Sequence, residues 1–355
     1  MPRKTVTIRD VAKQAQVSVS TVSQILNGNT QYVVAEKRER VLNAAKELHY
    51  RPNAIARSMV RRHTATIGVV ISAAQNPLFI SVLEGIQEVL SSEGYHILLA
   101  SAPDHQQEAE AIEVLRAQQV DGFIFVSLSV QNPIDHLVRL KEEGVPFIVI
   151  NRSFSEDYQC NQIQFNEWEA GYLAAKHLIN LGHRRIATIS GSLHGIPEWR
   201  SATERQRGWL QALEENGLEV RPEWIVKGDY TCNSGYEAAL QLVRQSRARH
   251  EQPTALFVAN DEMAIGALRC FHYAGVRVPY DLALITVGDP PCAAFMAPAL
   301  TTFAHPVPES GRVATRLLLD QIEQDNTQQV HNIIFSFSLM VRESCGTNRE
   351  PNAIV

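Results

Sequence analysis

Apolar residues in the first fifty positions recur at intervals of three and four, the spacing of an amphipathic helix. Three short helices are predicted, and their buried faces are Ile8, Val11, Ala12 and Ala15, then Val22, Ile25 and Leu26, then Val41, Leu42, Ala45 and Leu48. Thr7 and Ser18 stand where the first two helices need N-caps, and Asn27-Gly28 ends the second. Two short helices joined by a tight turn and backed by a third predict a helix-turn-helix headpiece over residues 1–49.

The outer face of the second helix consists mainly of short side chains. Since Val22, Ile25 and Leu26 point inward, Val19, Ser20, Ser23 and Gln24 are left outside. Short side chains let a helix lie deep in a DNA major groove about 12 Å wide, and hydroxyls can reach phosphates. The residues expected to contact DNA here are Thr7, Ser18, Val19, Ser20, Thr21, Ser23, Gln24 and Asn27. The alternative is an ordinary solvated helix face.

A short fourth helix is predicted in the segment 50–64. Pro52 ends the third helix, and Asn53 can cap the next one. In that helix Ile55, Ala56 and Met59 form an apolar edge beside Arg57. A linker that never folds is the alternative.

From Thr66 onward the pattern changes to apolar, β-branched runs that alternate with amphipathic helices, which is typical of buried parallel strands in βαβ units. Strands are predicted at 67–71, 96–101, 122–126 and 147–150, and in a second set at 185–190, 224–227, 255–259 and 283–287. Two doubly wound lobes imply a cleft lined by the carboxyl ends of the strands. This core is expected over 65–345, followed by a tail at 346–355.

Charge separates the two parts of the chain. Residues 1–62 contain 12 Lys and Arg against 4 Asp and Glu, whereas the other residues contain 21 against 34. A small basic head on an acidic body predicts that only the head meets a polyanion. The alternative is a charged surface that is only solvated.

Several other classes of protein are disfavoured by the 355-residue sequence. No apolar run approaches the length of a membrane span, and none follows the basic start, so a cytoplasmic protein without a membrane partner is expected. The five cysteines are widely spaced and odd in number, which predicts reduced thiols. Nucleophile elbows, dinucleotide fingerprints, phosphate loops and His-x-x-x-His pairs are missing from the sequence, so neither an enzyme nor a cofactor is expected.

Four stretches, in order, carry a resemblance to a known family. TIRDVA, VSVSTVS, YRPNAIARSM and IGVVI are similar to the lactose-repressor and galactose-repressor family of bacterial transcription regulators. The resemblance implies a repressor that binds pseudo-palindromic double-stranded operator DNA as a homodimer. It also implies a small-molecule effector, expected to be a sugar or sugar derivative. In such a protein the segment 50–64 is a hinge helix that folds on DNA, with contacts from Asn53, Ala56, Arg57 and Met59.

The resemblance further implies a periplasmic-binding-protein-like core whose chain crosses between lobes near 163, 293 and 328. The N-lobe would then hold about 65–163 and 294–327, and the C-lobe about 164–292 and 328–345. The effector contacts that it implies are Asn76, Phe79, Asn151, Arg205, Tyr230, Asn260, Asp261 and Asp289. Each residue has a structural alternative, such as a helix cap for Asn76 or Asp261 and an ion pair for Arg205.

Three departures from the family pattern affect these expectations. Gln24 replaces a common Arg, and since Gln suits adenine where Arg suits guanine, a different operator base is expected. Val34 replaces a capping Ser at the start of the third helix. Gly288 and Asn151 stand where carboxylates are usual. Either Asp289 shifts inward to replace one, or the ligand needs fewer acceptors, as a less polar or an anionic molecule would.

Two other functions stay open. The first is a regulator that responds to a purine or nucleoside corepressor. The second is a non-regulatory solute-binding protein with the same two lobes, which the attached basic head disfavours. The residues after Val341 contain no leucine heptads, so nothing predicts a coiled-coil tetramer.

Overall fold

The computed structural model describes residues 6–26, 33–50, 63–72, 77–127, 134–152, 154, 158–191, 200–249, 251–324 and 330–347. The chain divides into two compact units, Met1–Ala65 and Thr66–Val355. They are called the head and the core below. Within the described ranges, no helix is both long and apolar enough to cross a membrane.

The head contains the three predicted helices, α1 (Ile8–Ala15), α2 (Val19–Leu26) and α3 (Ala35–Glu47). Val11, Val22 and Val41, one from each helix, are fully buried and form its small core. The predicted inward position of Leu42 is wrong, because this side chain is 45% exposed and Ala44 packs in the core instead. An alanine suffices there since three short helices leave little space between them.

The core contains two sheets, and the first defines the N-lobe. Its strands are β1 (Thr66–Ile71), β2 (His96–Ser101), β3 (Gly122–Val126), β4 (Phe147–Ile150), β5 (Gln162–Phe165) and β11 (Asn332–Phe335), in the order β11-β5-β4-β3-β1-β2. All neighbours are parallel. Helices α4 (Pro77–Ser92) and α11 (Val307–Gln324) cover one face, and α5 (His105–Ala117) and α6 (Asp135–Glu142) cover the other. Strands β1, β3 and β4 therefore have both faces buried, as the sequence predicts, whereas β2 lies at the sheet edge and is largely exposed.

The second sheet defines the C-lobe. Its strands are β6 (Ile186–Ser190), β7 (Ile225–Lys227), β8 (Ala255–Val258), β9 (Ala283–Val287), β10 (Thr301–Ala304) and β12 (Ser338–Met340), in the order β12-β10-β9-β8-β6-β7. Only the β10–β12 pair is antiparallel among these neighbours. Helices α7 (Glu167–Asn180) and α8 (Arg200–Glu215) cover one face, and α9 (Cys232–Arg249) and α10 (Asp261–Ala274) cover the other.

The chain crosses between the lobes three times, and two of the crossings lie later than the sequence suggests. The first follows Phe165, close to the expected position near 163. The second lies at 305–306 and not near 293, because β10 pairs with β9 in the C-lobe sheet. The third lies at 336–337 and not near 328, because β11 pairs with β5 before β12 enters the C-lobe.

Helices α7 and α8 approach each other unusually closely through two glycines. A Cβ atom on Gly171 of α7 would lie 1.9 Å from the carbonyl oxygen of Arg205 on α8. A Cβ atom on Gly208 of α8 would lie 2.0 Å from the carbonyl oxygen of Trp168 on α7. Because any larger residue would meet backbone, the glycines fix the position of α8, and of Arg205, against α7.

Candidate nucleic-acid interface and effector cleft

The exposed surface of α2 consists of the residues predicted to face DNA. Val19, Ser20 and Gln24 are exposed, while Thr21 and Ser23 are half-buried at its edges. Val22 and Ile25 point into the head core. The arrangement suits a helix that must enter a narrow groove.

Hydroxyl groups gather at the N-terminus of α2. The backbone N–H of Thr21 donates to Ser18 Oγ at 3.1 Å, which confirms Ser18 as the cap of this helix. Ser18 Oγ also lies 2.7 Å from Ser20 Oγ and 2.8 Å from Thr21 Oγ1. The three hydroxyls stand beside the positive end of the helix dipole, where phosphate oxygens are favoured.

The cap of α2 supports a first prediction. Ser18→Ala removes the acceptor of the Thr21 N–H, so the free energy of opening α2 is expected to fall by about 1 kcal/mol. Amide hydrogen exchange of α2 in the full-length chain measures this loss. Ser20→Ala is the matched control, because it removes a neighbouring hydroxyl and keeps the cap. Equal exchange in the two variants would contradict the role of Ser18.

Helices α1 and α3 differ in how their N-termini are capped. Thr7 donates from its N–H and its Oγ1 to the Asp10 carboxylate, at 2.8 and 2.7 Å. Val34, in contrast, provides no side-chain cap for α3, as its residue type predicts. The predicted DNA contacts Asn27, Asn53, Ala56, Arg57 and Met59, and the hinge helix itself, lie outside the described residues.

A buried ion pair lies in the C-lobe, where the sequence places one side of the effector cleft. Arg205 is only 6% exposed, and its Nε donates to Glu167 Oε2 at 2.6 Å. Its Nη1 donates to the carbonyl oxygen of Ala259 at 2.5 Å, and its Nη2 lies 3.4 Å from His305 Nε2. Burial alone would lower the pKa of Arg205, but the Glu167 carboxylate outweighs it and raises that pKa. The guanidinium therefore stays charged. Its Nε and Nη1 make short hydrogen bonds, whereas Nη2 makes only the long contact to His305.

Tyr230, Asn260 and Asp261 lie around this ion pair. The Tyr230 ring covers Gly191, where a Cβ atom would come within 2.3 Å of it. Asn260 Nδ2 donates to the Tyr230 carbonyl at 3.0 Å, and its Oδ1 caps α10 by accepting from the Met263 N–H at 3.1 Å. Burial raises the pKa of Asp261. Since the amide of Asn260 is used twice within the protein, Tyr230 and Asp261 are the better candidates for ligand contacts.

Asp289 faces away from this cluster. Its Oδ1 accepts from Thr302 Oγ1 at 2.8 Å and from Arg342 Nη1 at 2.6 Å, and its Oδ2 accepts from Arg342 Nη2 at 3.0 Å. The place beside Gly288 is filled by Asp261, whose Cγ would lie 2.8 Å from a Cβ atom there. Asp289 thus holds the segment around Arg342, and its role as a replacement ligand carboxylate stays a prediction.

The predicted N-lobe contacts differ in their surroundings. Phe79 is 1% exposed and packs with Val82 and Ile86 in the N-lobe core, because all three lie on the inner face of α4. Its contact with an effector stays a prediction. Asn151 follows β4 in a left-handed conformation (φ +58°) and is half-buried at the strand end. Asn76 lies outside the described residues.

Beside Asn151 lies a second buried ion pair that the sequence does not reveal. Arg152 is 1% exposed, and its Nη1 donates to Glu108 Oε1 at 2.6 Å. The same oxygen lies 2.5 Å from His136 Nε2. Burial alone would raise the pKa of Glu108, but its bonds to His136 and Arg152 lower it below its usual range. Each lobe thus carries an arginine near its strand ends that a buried glutamate neutralises.

Comparisons with known proteins agree with this geometry. The family model of bacterial regulatory proteins of the lacI family matches residues 7–53, and the model of the periplasmic binding protein-like domain matches residues 175–345. The HTH-type transcriptional repressor PurR of Erwinia tasmaniensis is 36% identical over 332 residues, which are 92% of this chain and 94% of that protein. The chain belongs to the lacI family.

Other relatives of this lacI-family protein cover nearly its whole length. Catabolite control protein A of Priestia megaterium is 35% identical over 336 residues, 93% of this chain and 98% of that protein. The structure of the lac repressor dimer bound to operator and the anti-inducer ONPF has a TM-score of 0.82 at 28% identity. The match covers 96% of this chain and 99% of that chain. A complex of the regulator CelR with cellobiose has a TM-score of 0.70 at 31% identity, with the same coverage. The relatives are transcription regulators and not enzymes.

Three polar residues of the cleft in this lacI-family protein escape the sequence argument. Ser190 ends β6, and its Oγ is buried without a hydrogen-bond partner among the described residues, as is Glu167 Oε1. The rule that ligands bind at carboxyl ends of strands could have indicated Ser190. Glu167 and His305 carry no such signal, because they reach Arg205 from 38 and 100 residues away.

Proposed function

We propose that this lacI-family regulator binds a pseudo-palindromic operator as a homodimer, with α2 of each head in a major groove. The observation that carries the proposal is the outer face of α2, where Val19, Ser20 and Gln24 are exposed above a buried Val22 and Ile25. The operator-bound dimer of the lac repressor, a similar structure, supports it. A dimer gives one reading helix to each half-site of the operator.

Operator affinity is controlled by a small molecule in the cleft between the lobes. Its C-lobe contacts are Arg205, Tyr230, Asp261 and Ser190, and its N-lobe contact is Asn151. A ligand that binds one arrangement of the lobes better than another changes how tightly the two heads can bind DNA. The chain is proposed to act in the cytoplasm, where its operator lies.

The described polar groups favour an uncharged effector with several hydroxyls. Glu167 already neutralises Arg205, and Glu108 neutralises Arg152, so neither guanidinium offers an anion an unpaired charge. Glu167 Oε1 and Ser190 Oγ can accept from hydroxyl groups. A sugar or a nucleoside meets these requirements, whereas a sugar acid would bring a carboxylate close to Asp261. Both ion pairs therefore favour a neutral effector over the anionic alternative that the sequence leaves open.

Binding to DNA is tested by selection of random duplexes with the full-length protein, followed by gel-shift titration of the enriched sequence. We expect two half-sites related by a two-fold axis, because a symmetric dimer presents two heads. Absence of any sequence-selective complex would contradict the proposal and would favour a solute-binding protein without a regulatory role.

The neutralised arginines lead to a second prediction, which concerns the effector. In a thermal-shift screen with matched neutral and acidic compounds, for example glucose with glucuronate and galactose with galacturonate, only neutral compounds are expected to raise the melting temperature. A ligand present at 100 times its Kd stabilises the native state by about 2.7 kcal/mol, which such a screen detects easily. Adenosine and guanosine in the same screen test the nucleoside alternative. If only the acidic compounds raised the melting temperature, the proposal that the two ion pairs disfavour an anionic effector would be contradicted.

A further inference from the structure

An aromatic cluster joins the three segments in which the chain crosses between the lobes. Phe165 ends β5 before the first crossing, His305 lies in the second, and Phe337 lies in the third. The His305 ring centroid lies 5.1 Å from that of Phe165 and 4.4 Å from that of Phe337. Phe165 and Phe337 lie 6.1 Å apart. Each crossing therefore contributes one ring to a single contact.

The cluster belongs to both lobes. Phe165 extends from the N-lobe sheet but packs in the C-lobe core, with Phe257 and Ile285. Phe335 of β11 packs against the cores of both lobes. The Asn166 N–H donates to the Phe335 carbonyl at 2.9 Å, which ties the first crossing to the third. Tilted and edge-to-face rings at these centroid distances attract one another, so the contact resists separation of the crossings.

The ion pair of Arg205 is attached to the same cluster. Glu167 is the first residue of α7, two positions after Phe165, and it holds Arg205 Nε. His305 Nε2 faces Arg205 Nη2 at 3.4 Å. Since a guanidinium can only donate, this nitrogen of His305 is the acceptor. Burial and the charge of Arg205 lower the pKa of His305 well below its usual value, which keeps that acceptor available.

We infer that Phe165, His305 and Phe337 form the pivot about which the lobes rotate, and that Glu167 and His305 link Arg205 to it as positioning residues. The second part rests on the proposed effector site at Arg205. A ligand that displaces this guanidinium also displaces Glu167, next to the first crossing, and His305, in the second. Effector binding thereby changes the angle between the lobes through the crossing segments.

The pivot is tested by the spread of distances between the lobes in the ligand-free, full-length protein. Spin labels are placed at Val114→Cys in α5 and Tyr273→Cys in α10, both exposed positions, after Cys232 and Cys292 are changed to Ser. Labelled chain is mixed with an excess of unlabelled chain, so that each measured distance joins two spin labels within one protomer. The wild-type cluster is expected to give one narrow distribution by double electron–electron resonance.

Changes in the cluster should widen that distribution. Phe337→Leu and His305→Ala are expected to increase its width about twofold, because one ring of the three-way contact is lost. Phe125→Leu is the matched control, since it removes a ring that is fully buried within the N-lobe alone. If Phe337→Leu keeps the wild-type width, or if Phe125→Leu widens the distribution equally, the pivot is overturned. His305→Phe keeps a ring and should stay narrow, so it separates the loss of packing from misfolding.

The link to Arg205 has a separate readout. Glu167→Gln keeps the shape of the side chain and removes its charge, so a wider or displaced distribution is expected. Arg207→Met, on the same helix but in an exposed ion pair with Glu204, should leave the distances unchanged. An unchanged distribution in Glu167→Gln overturns the link. Because no ligand is added, these outcomes are independent of whether the thermal-shift screen finds an effector.

Discussion

Arg205→Met is expected to destabilise the core by about 3–5 kcal/mol, because it leaves the Glu167 carboxylate buried without its charge partner. Both side chains of this pair are less than one tenth exposed, so water cannot replace the lost guanidinium. Arg205→Met combined with Glu167→Leu removes both charges and should recover most of the loss. Urea unfolding followed by tryptophan fluorescence measures the change, since Trp168, Trp209 and Trp224 all lie in the C-lobe.

The matched control is Arg207→Met on the same helix. Arg207 pairs with Glu204, but its side chain is 66% exposed, so its loss should cost less than about 1 kcal/mol. If the double variant is as unstable as Arg205→Met alone, the cost comes from lost packing and not from an unpaired carboxylate. If Arg205→Met unfolds like the wild type, the pair does not organise the cleft.

Selection of operator sequences with the wild-type protein is expected to return adenine at the base opposite Gln24, and Gln24→Arg should change that base to guanine. Gln24 is exposed on the outer face of α2, one turn after Ser20. A glutamine matches adenine N6 and N7, whereas an arginine matches guanine O6 and N7, and one such pairing discriminates by about 1–3 kcal/mol. Sequencing of the bound pools measures the base frequencies.

Asn43→Arg provides the control for added charge. Asn43 is exposed on α3, outside the reading helix, so its replacement adds the same positive charge. It should raise affinity for all duplexes by a similar factor and keep the preferred base, because contacts to phosphate carry no sequence information. Guanine in the wild-type pool at the base opposite Gln24 would show that this residue is not the reader.

The sequence predicts the long apolar strands well and the short edge strands poorly. Residues 67–71 and 283–287 are uninterrupted runs, rich in β-branched residues, that are buried on both faces, so their pattern has one interpretation. Strands β11 and β12 are short, lie at sheet edges and alternate or expose their side chains, so they carry little pattern. Because the sequence pattern does not indicate β10 to β12, the expected positions of two of the three crossings lie too early in the chain.

The candidate site was predictable only as far as strand ends reveal it. Tyr230, Asn260 and Asp261 follow strands of one sheet, and the structure brings them together with Arg205. What each side chain does there depends on partners from distant segments. Arg205 meets Glu167 and His305, and Asp289 meets Arg342, through tertiary contacts that leave no local pattern. The packing of Phe79 with Val82 and Ile86 is equally hidden in the sequence, since an aromatic residue after a strand can pack inward or outward.

The close contact of α7 and α8 also limits how this protein could be engineered to recognise a new ligand. A mutant library that randomises Gly171 or Gly208 would yield mostly misfolded chains, because every added side chain would meet the backbone of the neighbouring helix. Ser190, Tyr230 and Asp261 lie at or just after strand ends, away from this contact. A biosensor derived from this chain would therefore keep the two glycines and draw its diversity from those three positions.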